Sequence, residues 1–144
     1  MIKIDGRATK ESLRLLQAGI HQAAALALRQ AVKVAEADAR STTLFTDRTG
    51  RTRASIRSET FAGRGWVEAG RAARFLEYGT RPHIIAARNA GTLAFRVNGQ
   101  MVFRRSVMHP GTSERPFMRH ARERGEQALA YALDLFIDAA IRGV

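Results

Sequence analysis

The sequence predicts an α+β fold, with a long N-terminal helix and a C-terminal helix packed on a small antiparallel sheet of about four or five strands. Three observations carry this expectation. Apolar residues recur at three- and four-residue spacing ahead of Arg40 and again after Pro116, the helical period. Between those stretches lie short runs of alternating apolar and polar residues, the period of a half-buried strand. One pair of these runs is joined by Asn98-Gly99, the dipeptide that favours a type I′ hairpin turn because both central residues need positive φ.

Taken in order, the first helix is expected over about 9–40, with Leu13, Leu16, Ile20, Ala24, Leu28, Ala31 and Ala35 as its apolar stripe. Arg14, Gln17, His21, Gln22, Arg29, Lys33 and Glu36 occupy its other faces. A helix of that length reaches roughly 45 Å, enough to project beyond a small sheet or meet a neighbouring subunit. A mobile polar loop is expected over about 42–53, and the sheet over about 54–108. The sheet begins with alternation in 54–61 and 65–70, joined across Gly63 and Gly65. Residues 72–78 read as a helical turn closed by Gly79. In the Asn-Gly hairpin Val97 should face Gln100, Phe95 should face Val102 and Leu93 should face Arg104. The segment Thr80–Thr92 reads as a second loop. The last helix is expected over about 116–142, with Pro116 at its start and Ser113 as a cap upstream. Its stripe is Phe117, Ala121, Ala128, Ala132, Leu135 or Phe136, and Ala140, and Gly143 marks its end. The 144 residues are read as a single domain.

Charge narrows the function. The chain carries 24 Lys and Arg against 13 Asp and Glu, a net charge of +11. All 17 bases between Arg40 and Arg124 are arginine, against six acids, whereas residues 125–144 hold three acids and one base. Arginine's planar fork suits carboxylates, phosphates and interfaces, so nucleic acid or an acidic protein surface is implied as a neighbour. No apolar run has membrane-spanning length, the first residues lack a secretory pattern, and the absence of cysteine points to a reducing cytoplasm.

Three segments go beyond composition. They are Thr49-Gly50-Arg51-Thr52-Arg53-Ala54-Ser55-Ile56, then Phe75-Leu76-Glu77-Tyr78-Gly79-Thr80-Arg81-Pro82-His83, and finally Val107-Met108-His109-Pro110-Gly111-Thr112-Ser113-Glu114-Arg115-Pro116-Phe117-Met118. Their order and spacing, over about residues 10–135, resemble the phage tail-completion family, also known as minor tail, neck or head–tail connector proteins of long-tailed bacteriophages. That family has "TGR…SI", an aromatic "EYGT" or "EFGT", and a later "HPGT…RPF" in this order. Thr52 departs from it, standing where a leucine is more usual. The resemblance implies a virion protein, assembled in the host bacterial cytoplasm, that forms a homo-oligomeric ring, hexamer or dodecamer. Its implied partners are head-completion or stopper, tail terminator or tail tube proteins, with double-stranded DNA passing through the lumen. The assembly interface expected on this reading comprises Arg48, Arg51, Arg53, Glu77, Tyr78, Arg81, His83, His109 and Arg115. Glu77, one acid among many arginines, is expected to pair with Arg81 or with an arginine of a neighbour.

Enzymatic chemistry has little to stand on. There is no cysteine nucleophile, no glycine-rich phosphate loop and no pair of histidines at zinc spacing. Asp47, Glu59, Glu68 and Glu77 are dispersed, where a metal-dependent nuclease gathers carboxylates. No catalytic residue, metal or cofactor is expected. The alternative is a basic DNA-binding or phage assembly factor not retained in the virion, with Phe61, Trp66, Phe75, Phe95 and Phe103 stacking on bases. Because these aromatics alternate with polar residues, most of them are expected in the core instead.

Overall fold

The computed structural model describes residues 7–88 and 91–142, and the side chains from Lys10 to Ala139 within that range. The helix end expected at Gly143 and the side chain of Ala140 lie outside the described residues. The elements run α1 (Arg7–Ser41), α2 (Arg51–Ala54), β1 (Arg57–Phe61), β2 (Arg64–Glu68), α3 (Arg71–Tyr78), β3 (His83–Ala86), β4 (Leu93–Val97), β5 (Gln100–Arg104), β6 (Ser106–His109) and α4 (Phe117–Arg142). The fold is α+β. In place of one sheet of four or five strands, the described residues form three separate two-stranded antiparallel ladders, β1–β2, β3–β6 and β4–β5. The chain divides into two compact units, Met1–Gly70 with Phe117–Val144, and Arg71–Pro116.

The first unit is built on small residues. Ala27, Ala31, Ala35 and Ala39, four apart and all buried, make a flat seam along α1. Helix α4 runs along it in the opposite sense. Phe117 meets Phe45, just beyond α1. Farther along α4, Arg124 reaches Asp38 at 3.8 Å, and Gly125 lies against Ala31 and Ala35. A β-carbon on Gly125 would sit 3.0 Å from Ala35 Cβ and 3.2 Å from the Ala31 carbonyl. Gly125→Val is therefore expected to destabilise by about 1–3 kcal/mol, because the extra methyls must force the helices apart. Thermal unfolding of the full chain checks this, and an unchanged midpoint would contradict the close seam.

The β1–β2 hairpin lies on the same helix through its small face. The register pairs Ser58 with Val67 and Thr60 with Gly65. A β-carbon on Gly65 would come 2.5 Å from Val32 Cγ1. Ser58 donates to Glu36 Oε2 at 2.6 Å. Glu36 also accepts from Lys33 at 2.7 Å and pairs with Arg40 at 3.0 Å. The opposite face therefore turns outward with Phe61, 76% exposed, and Trp66, 40% exposed. Phe75 and Phe103 are exposed too, and Phe95 is half-buried. The expectation that most of these aromatics are core is thus corrected. The physical reason in β1–β2 is that α1 approaches too closely for large side chains on the inner face.

The helical stripes divide in the same way. Leu13, Leu16 and Ile20, expected in the buried stripe of α1, are exposed, while burial begins in its second half. In α4, Phe117 and Ala121 are buried, Ala128 and Ala132 are half-buried, and Leu135 and Phe136 face solvent.

In the second unit the Asn-Gly hairpin has the expected register, Leu93↔Arg104, Phe95↔Val102 and Val97↔Gln100. Its turn residues have the expected positive φ, 50° at Asn98 and 82° at Gly99. Thr80–Thr92, expected as a loop, contains β3, which pairs His83–Ala86 with Ser106–His109.

Candidate functional site

The first motif forms a knot at the end of α1. Gly50 turns the chain at φ 72° into α2. Ile56, fully buried, plugs the core, and its carbonyl accepts from the Arg40 guanidinium. Ser55 Oγ accepts from the Gly70 amide at 2.9 Å. Of the segment 42–53 expected as a mobile loop, the end lies in α2 and the part before it is fastened at several points. Arg53 donates to the carbonyls of Arg40, Thr42 and Phe45, and its guanidinium carbon lies 4.8 Å from the centre of the Phe45 ring. Arg53 is therefore committed inside its own unit, whereas Arg48 and Arg51 are exposed.

Asp47 completes the fastening by accepting from the Arg53 amide at 2.8 Å. That bond chiefly holds its carboxyl below the usual carboxylate value. Burial opposes the shift, and bonds from the Thr49, Gly50 and Thr52 backbone assist it. A depressed folded pKa stabilises above the unfolded value, about 3.9, and the contribution is lost as pH falls through the folded value. The loop is expected to stay closed at neutral pH and to open in acid below about pH 4. Asp47→Ala should open it at neutral pH, and Arg53→Lys should loosen it because an ammonium cannot fork to several carbonyls. Limited proteolysis within 42–50 reads both. Cleavage rates equal to the parent chain's would contradict the fastening.

The second and third motifs meet in the second unit, although about thirty residues separate them. Helix α3 ends at Tyr78, and Gly79 turns the chain at φ 66°. The Thr80 amide donates to the Thr112 carbonyl at 2.9 Å, and the Thr112 amide donates back to Thr80 at 3.1 Å. The two glycines sit against this bridge reciprocally, Gly79 facing Thr112 O and Gly111 facing Thr80 O. On one side the Arg115 amide donates to Leu76 O at 2.7 Å. On the other, His83 and His109 are register partners whose rings stack at 5.0 Å. His83 Nδ1 lies 2.8 Å from Arg81 O, so it carries the proton and donates. His109 Nδ1 accepts from the Gly111 amide at 3.0 Å.

This bridge draws together the local backbone of six expected interface residues, Glu77, Tyr78, Arg81, His83, His109 and Arg115. Tyr78 is 70% exposed, and Arg81, His83 and Arg115 are exposed. Glu77, in contrast, is the buried charged residue among the described ones, and it is not without an interaction partner. Arg48, Arg51 and Arg53 belong to the other unit.

Sequence reasoning passed over the exposed apolar side chains. Among the described residues, the large buried ones are Val32, Phe45, Ile56 and Phe117, while Leu13, Leu16, Ile20, Ile84, Met101, Phe103, Met108, Tyr131 and Leu135 are all at least 49% exposed. The sequence marks these positions as one face of a helix or strand but says nothing of what covers that face. An open groove beside α4 is lined by Asp38, Ser41, Thr42, Leu44, His120 and Gln127, among others. Among the described residues no three His, Cys, Asp or Glu side chains cluster to hold a metal ion, and no helix is long and apolar enough to cross a membrane. No family profile, curated protein or solved structure matches this chain.

Proposed function

We propose that the chain is a structural subunit of the neck or tail of a tailed phage, working in a homo-oligomeric ring without catalysis. The ring, a hexamer or dodecamer, joins portal or head-completion rings to the tail tube, and DNA passes through its lumen. The observation that carries this reading is the uncovered apolar surface. Among the described residues far more large apolar side chains are exposed than buried, and extensive exposed apolar surface marks a site of association. The ordered motifs support the same reading, since the second and third build one bridge and are explained as architecture without any chemistry.

A second reading has its own support. The Arg71–Pro116 unit carries eight arginines against two glutamates, one of them buried. Such a charge also fits a basic DNA-binding or assembly factor that leaves the particle.

Quantitative mass spectrometry of purified particles separates the two. A constant small copy number relative to the major tail protein is expected of a ring. Absence from particles, with salt-sensitive binding of free duplex DNA, would replace the ring reading with the second.

A further inference from the structure

The outer faces of α4 and of the β4–β5 hairpin have complementary chemistry. In the second half of α4, Tyr131, Asp134, Leu135 and Asp138 fall at i, i+3, i+4 and i+7, so they share one face. Tyr131 is 67% exposed, Leu135 is 53% exposed, and Asp134 is exposed beside them. This face is apolar and acidic in a chain of net charge +11.

The hairpin offers the reverse combination. Its register puts Leu93, Phe95 and Val102, all half-buried, on one face with Val97, which is 47% exposed, and Ala94, Arg96, Met101 and Phe103 on the other. On that second face Met101 is 51% exposed, Phe103 is 57% exposed, and Arg96 is exposed opposite Met101. Neither Arg96 nor Asp134 has a salt-bridge partner among the described residues. The hairpin's unit buries no large apolar side chain among its described residues, and two-stranded ladders are marginal without something to pack on.

We propose that a second copy of this chain covers the hairpin. The α4 face of one subunit, Tyr131, Asp134 and Leu135, docks on Arg96, Met101 and Phe103 of the next, and Asp134 pairs with Arg96. The two patches are different surfaces, so the contact is head-to-tail and propagates around a closed ring. Apolar burial supplies attraction, and the Asp–Arg pair fixes register. This inference rests on the ring reading for closure but not for the contact itself.

The test uses full-length protein at high concentration. The chain has no cysteine, so single introduced thiols report proximity. Leu135→Cys and Met101→Cys preparations, mixed and mildly oxidised, are expected to form the mixed disulfide dimer. Ala130→Cys, an exposed α4 control, should lose that product when it replaces Leu135→Cys. Asp134→Arg is expected to weaken self-association about tenfold or more, and Arg96→Asp in the mixed partner should recover it. Circular dichroism confirms that each variant is folded. No mixed dimer above control, or no recovery on charge exchange, overturns the contact. A dimer formed by Leu135→Cys alone, in preference to the mixed one, overturns it in favour of a symmetric α4–α4 pair. Failure here leaves the ring reading to the particle copy number, which does not depend on this contact.

Discussion

Phe117→Ala is expected to lower the stability of the chain by about 3–5 kcal/mol, the range for emptying a buried aromatic site. Phe117 and Ile56 are the two largest fully buried side chains, so their removal takes a large part of a small core. The Phe117 ring packs on Phe45 at 4.9 Å, tilted by 59°, and Phe45 in turn lies under the Arg53 guanidinium. One side chain therefore joins the start of α4 to the loop that follows α1. Denaturant unfolding checks the prediction through a lower midpoint at unchanged slope. A double-mutant cycle with Phe45→Ala should show coupling of about 0.5–1.5 kcal/mol. Additive losses would mean that the two rings stabilise the chain independently.

What the sequence made legible follows from the range of each signal. Both long helices were readable because their periodicity is local, and their observed bounds, Arg7–Ser41 and Phe117–Arg142, match the expected ones closely. The register of β4–β5 was readable from two residues, since Asn98 and Gly99 tolerate the backbone that a tight turn requires. By contrast, β3 was missed. Ile84 and Ile85 stand side by side without alternation, and their partner strand lies twenty or more residues away. Alternation in β1 identified two faces but could not say which was inner. That was decided by Gly65 lying on Val32, a tertiary contact.

The candidate site divides along the same line. Glu77, Tyr78, Arg81, His83, His109 and Arg115 were named from motifs, yet their proximity depends on a bridge between chain segments far apart in sequence. Arg53 was named for an outward role that its charge permits. Its three carbonyl acceptors lie within its own unit and could not be read from composition. Helical spacing alone puts Leu135 with the buried stripe of α4 and does not single out Tyr131 or Asp134, whereas all three are exposed.

Gly79→Ala and Gly111→Ala are each expected to break the bridge between the second and third motifs. Both glycines have left-handed backbone, φ 66° and 91°, which costs an L-residue about 1–2 kcal/mol by itself. A methyl group adds a second penalty, because it would overlap the carbonyl oxygen of Thr112 in one case and of Thr80 in the other. Those oxygens cannot rotate away, since each accepts the opposing threonine's amide. The β3–β6 ladder begins three residues beyond Thr80 and ends three before Thr112. Loss of the bridge should therefore fray the ladder and separate the stacked His83 and His109. Hydrogen exchange is expected to show faster amides at Thr80 and Thr112 in either variant, and then along His83–Ala86. Thr80→Val provides the contrast. Its Oγ1 is buried without a hydrogen-bond partner, so exchanging the hydroxyl for a methyl should be close to neutral. Unchanged protection in both alanine variants would mean that the bridge does not hold the ladder. Loss in the alanine variants with protection kept in Thr80→Val would assign the restraint to the backbone. The repeated Gly-Thr pair then has one cause, since each glycine leaves room for the carbonyl that the other motif brings against it.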